Sequence, residues 1–155
     1  MRVLIIGLDG FTWKTLDYMR KHVRMENLEK LMGQSAWGRL ESTKPPSTVP
    51  AWISFATGVN PGKHGVFTFV QPASSLGTLP VVSSRNIRTH TFWELLRKRG
   101  MRSVLINLPC ATPALTDDVT LGSFISEKKD RIHPKELGVL DEISDYRLTV
   151  ESDFN

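Results

Sequence analysis

Two oxygen-bearing side chains in the first third of the sequence stand where they could bind a cation or attack an electrophile. The first is Asp9, which directly follows the apolar run 3–8 and would project from the end of a buried strand. Carboxylate oxygens are suitable ligands for zinc, manganese or magnesium. A helix is predicted to begin near Thr12, so Asp9 could equally cap that helix. Its position alone leaves both interpretations open.

Thr48 is the second candidate, in the loop that precedes Pro50. Pro50 fits the first turn of a helix, where a missing N–H costs no hydrogen bond. Free N–H groups and the positive end of the helix dipole meet at such a terminus, so they could hold phosphoryl oxygens and stabilise an alkoxide. A metal ion would supply the larger activation, because an alcohol is a poor nucleophile at neutral pH. The alternative is that Ser47 or Thr48 is only the N-cap of the helix.

The other reactive or aromatic side chains have simpler interpretations. His64 lies in a glycine-rich turn, where it could be a metal ligand or a base, but a lone histidine in a turn is more often a surface or packing residue and is expected to be one here. The remaining histidines share no metal-site spacing. Cys110 is the only cysteine, so it forms no internal disulfide and is expected to be a buried, inert thiol. All four tryptophans fall within apolar patterns and are expected in the core: Trp13, Trp37, Trp52 and Trp93.

Strands and helices alternate along the sequence that positions these residues. Apolar runs or alternation predict strands at Arg2–Leu8, Ala36–Glu41, Arg102–Leu108, Val119–Ile125 and Tyr146–Val150. Helical spacing predicts helices at Thr12–Val23, Glu26–Met32, Pro50–Thr57, Thr91–Arg99 and His133–Asp145. This order indicates an α/β fold with a mostly parallel sheet flanked by helices. Ligands bind such sheets at the carboxyl ends of the strands, where Asp9 would lie.

Composition narrows the class of protein further. The chain has 155 residues, of which 40% are apolar, enough for one globular domain with a sizeable core. Its net charge of +4 could attract phosphate-bearing ligands, but the basic residues are scattered and are more simply interpreted as a solvated surface, and no recognition motif indicates nucleic acid. No apolar run is long enough for a signal peptide or a membrane span. Together with the lone cysteine, this predicts a cytoplasmic protein.

Read together, three segments resemble the type I phosphodiesterase/nucleotide pyrophosphatase family of the alkaline phosphatase superfamily. Val3–Gly10 is similar to the opening strand of that family. Pro45–Val66 is similar to its nucleophile segment, with a threonine, any residue, a proline, a short helix, Thr-Gly, a proline and His-Gly. The stretch 104–124 resembles the next segment of microbial members. The likeness covers residues 1–126, and 127–155 is interpreted as an acidic helix–strand extension of the same domain.

The resemblance implies an alkaline-phosphatase-like fold and a metal-dependent phosphodiesterase. Asp9 would be a metal ligand, and Thr48 would be both a ligand of the same ion and the covalent nucleophile. A phospho-threonine intermediate would form and would then be hydrolysed by metal-bound water. Two divalent ions, zinc or manganese, would complete the family site, and the substrate would be a small phosphodiester or phosphate ester.

Two departures from the family pattern limit what the resemblance implies. Ala51 stands where many members carry an asparagine that helps to hold the oxyanion, and losing one such donor would cost about 3 kcal/mol. The family's further ligands, two aspartates and three histidines that include an Asp-His pair, have no counterpart in the sequence. Asp117, Asp118 and His133 do not match those motifs.

We therefore expect the nucleophile-bearing, amino-terminal part of a truncated enzyme, incomplete on its C-terminal side and inactive alone. Missing neighbouring strands would expose a sheet edge through which the chain could self-associate. The alternative is a non-catalytic phosphate-binding or interaction domain that retains the fold.

Overall fold

The computed structural model describes residues 2–71, 80–139 and 146. Its contacts divide the chain into two compact units, Met1–Ser42 and Thr43–Asn155. The regular structure of the first unit is helical, and the second combines helices with a small sheet, so the described residues form a small α/β structure. Among them, no helix combines the length and the apolar character that crossing a bilayer requires. The division at residue 126 stays a prediction.

The first unit contains α1 (Trp13–His22) and α2 (Glu26–Gly33), which confirms two of the predicted helices. Thr12 is the N-cap of α1, and its hydroxyl accepts a hydrogen bond from the Thr15 N–H at 3.2 Å. Arg20 of α1 forms an ion pair with Glu29 of α2 and ties the two helices together. The N-cap position that Asp9 could have filled is therefore occupied by Thr12.

The predicted strands at Arg2–Leu8 and Ala36–Glu41 are not formed among the described residues. The apolar side chains of the first segment are exposed, with 71% of Val3, 83% of Leu4 and 75% of Ile6 accessible to solvent. A buried parallel strand needs hydrogen-bonding neighbours at its edges and packed layers on its faces. The described residues give this segment neither, and so its strand-like sequence stays unpaired.

The second unit contains α3 (Thr48–Thr57), α4 (Pro61–His64) and α5 (Phe92–Lys98). Helix α3 begins two residues earlier than predicted, because Ser47 rather than a residue nearer Pro50 has the extended N-cap conformation. It ends at Gly58, whose φ of 69° is left-handed. Short 3₁₀ turns lie at Ser84–Asn86, before α5, and at Lys128–Asp130 and Lys135–Val139, after it.

Three short strands form a mixed sheet in the order β1 (Val104–Ile106), β2 (Val119–Leu121), β3 (Ile132–His133). Strands β1 and β2 are parallel, whereas β2 and β3 are antiparallel. The strands predicted at Arg102–Leu108 and Val119–Ile125 are thus confirmed, but in shorter form. His133, predicted to begin a helix, instead pairs with Thr120. Residues 140–145 of the last predicted helix and 147–150 of the last predicted strand lie outside the described residues.

Helix α3 is held in place by two adjoining apolar clusters. The first contains Val49, Ile53, Val66, Val82 and Cys110. The second contains Ala56, Trp93, Leu105 and Ala111. The helix contributes to both clusters, and burial of one large aliphatic side chain stabilises the fold by about 2 kcal/mol.

Only part of the predicted tryptophan core is formed. Trp93 is 2% exposed, as predicted. Trp37 is 62% exposed, so the prediction for it is wrong, and its ring packs against that of Trp13 at a tilt of 40° with the centroids 5.3 Å apart.

Candidate functional site

Thr48 is the first residue inside α3, and its side chain is half-buried. Ser47 occupies the N-cap position with φ −141° and ψ 151°, but its side chain makes no capping hydrogen bond. The first intrahelical hydrogen bond runs from the Ala51 N–H to the Ser47 carbonyl at 3.0 Å. The Val49 N–H lies ahead of that bond, and Pro50 has no N–H. Thr48 therefore lies within the first turn rather than at the cap.

The loop before the helix is fixed by its own hydrogen bonds. The Thr43 hydroxyl donates to the Pro45 carbonyl at 3.0 Å, and the Ser47 N–H donates to the same carbonyl at 3.1 Å. On the other side of Thr48, two residues of α3 are buried: Val49 is 0% exposed and Ile53 is 1% exposed. A turn on one side and a packed helix on the other thus define the backbone of Thr48.

His64 is the last residue of α4, contacts Ser54 of α3 and is 0% exposed. Its Nδ1 accepts a hydrogen bond from the Val66 N–H at 3.2 Å, and its Nε2 lies 3.0 Å from the Ser54 hydroxyl. Because Nδ1 accepts, the neutral ring carries its hydrogen on Nε2, an assignment that follows from the hydrogen-bond network. Burial lowers the pKa of His64, and a hydrogen bond to the Pro50 backbone opposes part of that shift.

The geometry decides between the two sequence interpretations of His64. Its Nδ1 lone pair is engaged by a backbone N–H, and its Nε2 carries hydrogen. A metal-binding imidazole needs a free ring nitrogen. His64 is therefore a packing residue, as predicted, and it does not fit a metal ligand in this arrangement.

The residue after His64 must be small and left-handed. Gly65 has φ 82° and ends α4 by donating its N–H to the Pro61 carbonyl at 2.8 Å. A Cβ at this position would lie 2.7 Å from Cδ of Arg88. The Arg88 N–H in turn donates to the His64 carbonyl at 3.0 Å. The His64-Gly65 pair thus places a buried imidazole next to a glycine against which Arg88 packs closely.

Asp9 is exposed and lies in the turn that ends the apolar segment 3–8. Gly10 follows with φ 65°, and the Phe11 N–H donates to the Leu8 carbonyl at 3.4 Å. Asp9 belongs to the first unit and Thr48 to the second. Their common role as ligands of one ion stays a prediction.

The described residues do not assemble a complete metal site. No group of three or more His, Cys, Asp or Glu side chains within ranges 2–71 and 80–139 is arranged to hold an ion. The Asp118 carboxylate accepts from the Ser103 N–H at 3.1 Å and the Thr116 hydroxyl at 2.9 Å, and Asp117 pairs with Arg97 at 2.9 Å. Carboxylate and hydroxyl oxygens at Asp9 and Thr48 suit a divalent ion, but a catalytic ion needs about three or four protein donors.

Cys110 is confirmed as a buried thiol. It is 1% exposed, and burial raises the pKa of its thiol to about 12. A thiolate is the nucleophilic form, so this residue contributes packing rather than chemistry.

Sequence reasoning missed Ser54 and the Pro50 carbonyl as partners of His64. Pro50 and Ser54 are four residues apart on α3, and therefore lie on one face of the helix. A serine one turn after a helix-starting proline, followed by a histidine at the end of the next short helix, is the signal that could have indicated the pairing.

Comparison with protein families gives one match. A family model described as type I phosphodiesterase / nucleotide pyrophosphatase matches residues 3–153. The matched range includes Asp9, Thr48 and the His64-Gly65 pair, and it extends beyond the residue 126 limit of the sequence resemblance. Searches of curated proteins and of solved structures gave no significant match.

Proposed function

Because the chain belongs to the type I phosphodiesterase/nucleotide pyrophosphatase family, we propose that it carries the nucleophile of a phosphodiesterase and that Thr48 is this nucleophile. The observation that supports the proposal is the place of Thr48 at the first position of α3. A residue that served only as a cap would occupy the preceding position, which Ser47 fills. The substrate class would be small phosphodiesters or phosphate esters.

The proposed reaction has two balanced steps. In the first, Oγ1 of Thr48 forms a bond to phosphorus while the opposite phosphorus–oxygen bond breaks. The hydroxyl proton passes to solvent, and the departing alkoxide takes up a proton. In the second, water attacks the phospho-threonine, the bond from Oγ1 to phosphorus breaks, and a phosphate monoester is released as the Thr48 hydroxyl is restored.

The chain's own groups would orient the phosphoryl oxygens. The Val49 N–H at the start of α3 would donate to one of them, and the helix dipole would favour negative charge there. That dipole contributes only about 0.3–1 kcal/mol near a surface, too little to activate an alcohol by itself. The family is generally metal-dependent, and a divalent ion would supply the remaining charge stabilisation.

We further propose that Asp9 is a ligand and that two divalent ions, zinc or manganese, serve the complete site. The described residues offer only part of the required ligand set. Further donors would have to come from outside that set. Without them we expect the chain to be inactive, and the reaction above is therefore assigned to the protein with its full complement of ligands.

The position of Ala51 narrows the contacts available to the substrate. Its methyl group cannot donate a hydrogen bond, so the oxyanion at this position would be held by backbone N–H groups or by an ion. Replacing Ala51 with asparagine in an active form of the protein tests this point. A rise in kcat of up to about a hundredfold is expected if the missing donor limits the rate.

Hydrolysis of an aryl phosphodiester tests the proposed function directly. We would assay the full-length protein with its complete set of metal ligands and added zinc or manganese, as the wild type and as the variants Thr48→Ala and Thr48→Ser. Ser47→Ala is the matched control, because it removes a neighbouring hydroxyl that makes no capping hydrogen bond. Thr48→Ala should abolish turnover, Thr48→Ser should retain part of it, and Ser47→Ala should resemble the wild type. Turnover by Thr48→Ala at the wild-type rate would refute the proposal, and so would a complete lack of hydrolysis with either ion.

A further inference from the structure

We propose that His64 is a positioning residue for Thr48, because its imidazole ties the first two turns of α3 to the end of α4. This inference rests on the proposed role of Thr48 as the nucleophile. His64 touches no reacting atom in the proposed mechanism. It would act by holding the helix from which the reacting hydroxyl projects.

The ring is held on both sides by hydrogen bonds. The Val66 N–H donates to Nδ1 at 3.2 Å, which leaves Nε2 as the donor toward α3. On that side lie the Ser54 hydroxyl at 3.0 Å from Nε2 and the Pro50 backbone. Proline has no N–H, so the group that His64 contacts there is the carbonyl.

The position of Pro50 explains why this part of the helix benefits from a second tie. Pro50 is the third residue of α3 and cannot donate a backbone hydrogen bond. Its carbonyl has two lone pairs, so it can accept from His64 as well as from within the helix. Ser54 lies one turn later, where a serine hydroxyl often bonds back to its own helix. His64 approaches this part of the helix from outside, and its single Nε2 hydrogen points toward Ser54 and Pro50.

Burial makes these bonds difficult to replace with water. His64 is 0% exposed. Ile53, which precedes Ser54, is 1% exposed, and Val66, whose N–H binds the ring, is 0% exposed. A buried donor or acceptor that loses its partner retains its full desolvation penalty. Substitution of the ring should therefore shift α3 rather than leave it in place with a water bridge.

The distance from the tie to the nucleophile is short. With a rise of about 1.5 Å per residue, Pro50 lies about 3 Å and Ser54 about 9 Å from Thr48 along the helix axis. A displacement of about 1 Å at a reacting atom can cost on the order of a hundredfold in rate. A small movement of α3 would thus reduce kcat without removing any group that binds substrate.

Two conservative variants test the hydrogen bonds of the two ring nitrogens of His64 separately. The amide of His64→Asn reaches the place of Nδ1 and keeps the acceptor for Val66, but it loses the donor toward α3. The longer amide of His64→Gln reaches the place of Nε2 and restores that donor. We expect kcat to fall about a hundredfold in His64→Asn with KM little changed, and to be largely recovered in His64→Gln.

A second readout needs no phosphodiesterase activity. The Ala51 N–H makes the first hydrogen bond of α3, at 3.0 Å to Ser47, so its hydrogen exchange reports on the first turn. Exchange should accelerate at least tenfold in His64→Asn and stay near the wild-type rate in His64→Gln. If both variants fold poorly, Ser54→Ala and the ring ¹⁵N shifts of the wild type take their place. Ser54→Ala should accelerate the same exchange, and Nε2 should carry the hydrogen.

The outcomes distinguish this inference from the proposed function. Equal kcat and equal Ala51 exchange in His64→Asn and His64→Gln would overturn the positioning role, and so would hydrogen on Nδ1. A loss of thermal stability with wild-type kcat in both variants would also overturn it. If Thr48→Ala keeps full activity while the exchange results hold, the proposed nucleophile is wrong and the tie between α3 and α4 remains.

Discussion

Two glycines that end helices in the second unit form a matched pair for a stability measurement. Gly58 follows α3 with φ 69°, and Gly65 follows α4 with φ 82°. An alanine at either position is strained by the left-handed backbone, at a cost of about 1–2 kcal/mol. The two sites differ in their surroundings. A Cβ at Gly58 meets no atom within 4 Å, whereas one at Gly65 lies 2.7 Å from Cδ and 2.8 Å from Nε of Arg88.

The close contact adds a second cost at Gly65 alone. Arg88 would have to leave its present rotamer, at about 0.5–1.5 kcal/mol. We therefore expect Gly58→Ala to lower the free energy of unfolding by about 1–2 kcal/mol. Gly65→Ala should lower it by about 0.5–1.5 kcal/mol more. Adding Arg88→Ala to Gly65→Ala should remove the extra cost, because the crossing side chain is then gone.

Urea unfolding followed by tryptophan fluorescence, to which the buried Trp93 contributes, measures these differences. The single variants Gly58→Ala, Gly65→Ala and Arg88→Ala, with the double variant at 65 and 88, complete a double-mutant cycle. A favourable coupling of about 0.5–1.5 kcal/mol between the two sites is expected. Equal losses at Gly58 and Gly65 together with zero coupling would refute the packing of Arg88 against Gly65.

Three further predictions concern groups outside that contact. Burial lowers the pKa of His64 from 6.5, so the folded state binds fewer protons than the unfolded state. The contribution of neutral His64 to stability is fully present above pH 6.5 and declines as the pH falls toward the lower folded-state pKa. Urea unfolding measured at a series of pH values should show this loss in the wild type and should not show it in His64→Gln. Cys110, whose thiol pKa is raised to about 12, should resist a thiol reagent in the native state and react in urea, and rapid native labelling would contradict its burial. The exposed segment 3–8 should drive self-association that Ile6→Lys reduces in sedimentation velocity. The control Leu31→Lys, at an exposed position in α2, should not reduce it, and a clean wild-type monomer would contradict this prediction.

Local signals in the sequence were sufficient for α1, α2, α3 and α5, although not for α4. The apolar spacing of 13–23 and the proline at 50 predict α1 and α3 because caps and periodicity act within a few residues of the chain. These features need no knowledge of how distant segments pack. The same rules start α3 at Pro50 and leave Thr48 in the preceding loop, whereas the structure places Thr48 in the first turn.

Pairing between distant segments could not be predicted in the same way. The run Arg2–Leu8 has the composition of a buried strand, but a strand forms only where another segment supplies hydrogen-bonding partners. The sequence around His133 favours the start of a helix, yet pairing with Thr120 places this residue in β3. The contact between His64 and Ser54 likewise depends on how α4 packs against α3, which residue spacing alone does not specify.

The central claim is that Thr48 becomes covalently phosphorylated during turnover. The direct measurement is acid quenching of the zinc- or manganese-loaded protein during reaction with an aryl phosphodiester, followed by peptide mass spectrometry. The proposed mechanism predicts one phosphoryl group on Thr48, still carrying the ester substituent that does not leave in the first step, in the wild type and in Ser47→Ala, and none in Thr48→Ala. Turnover without phospho-threonine, or a phosphoryl group on another residue, would contradict it.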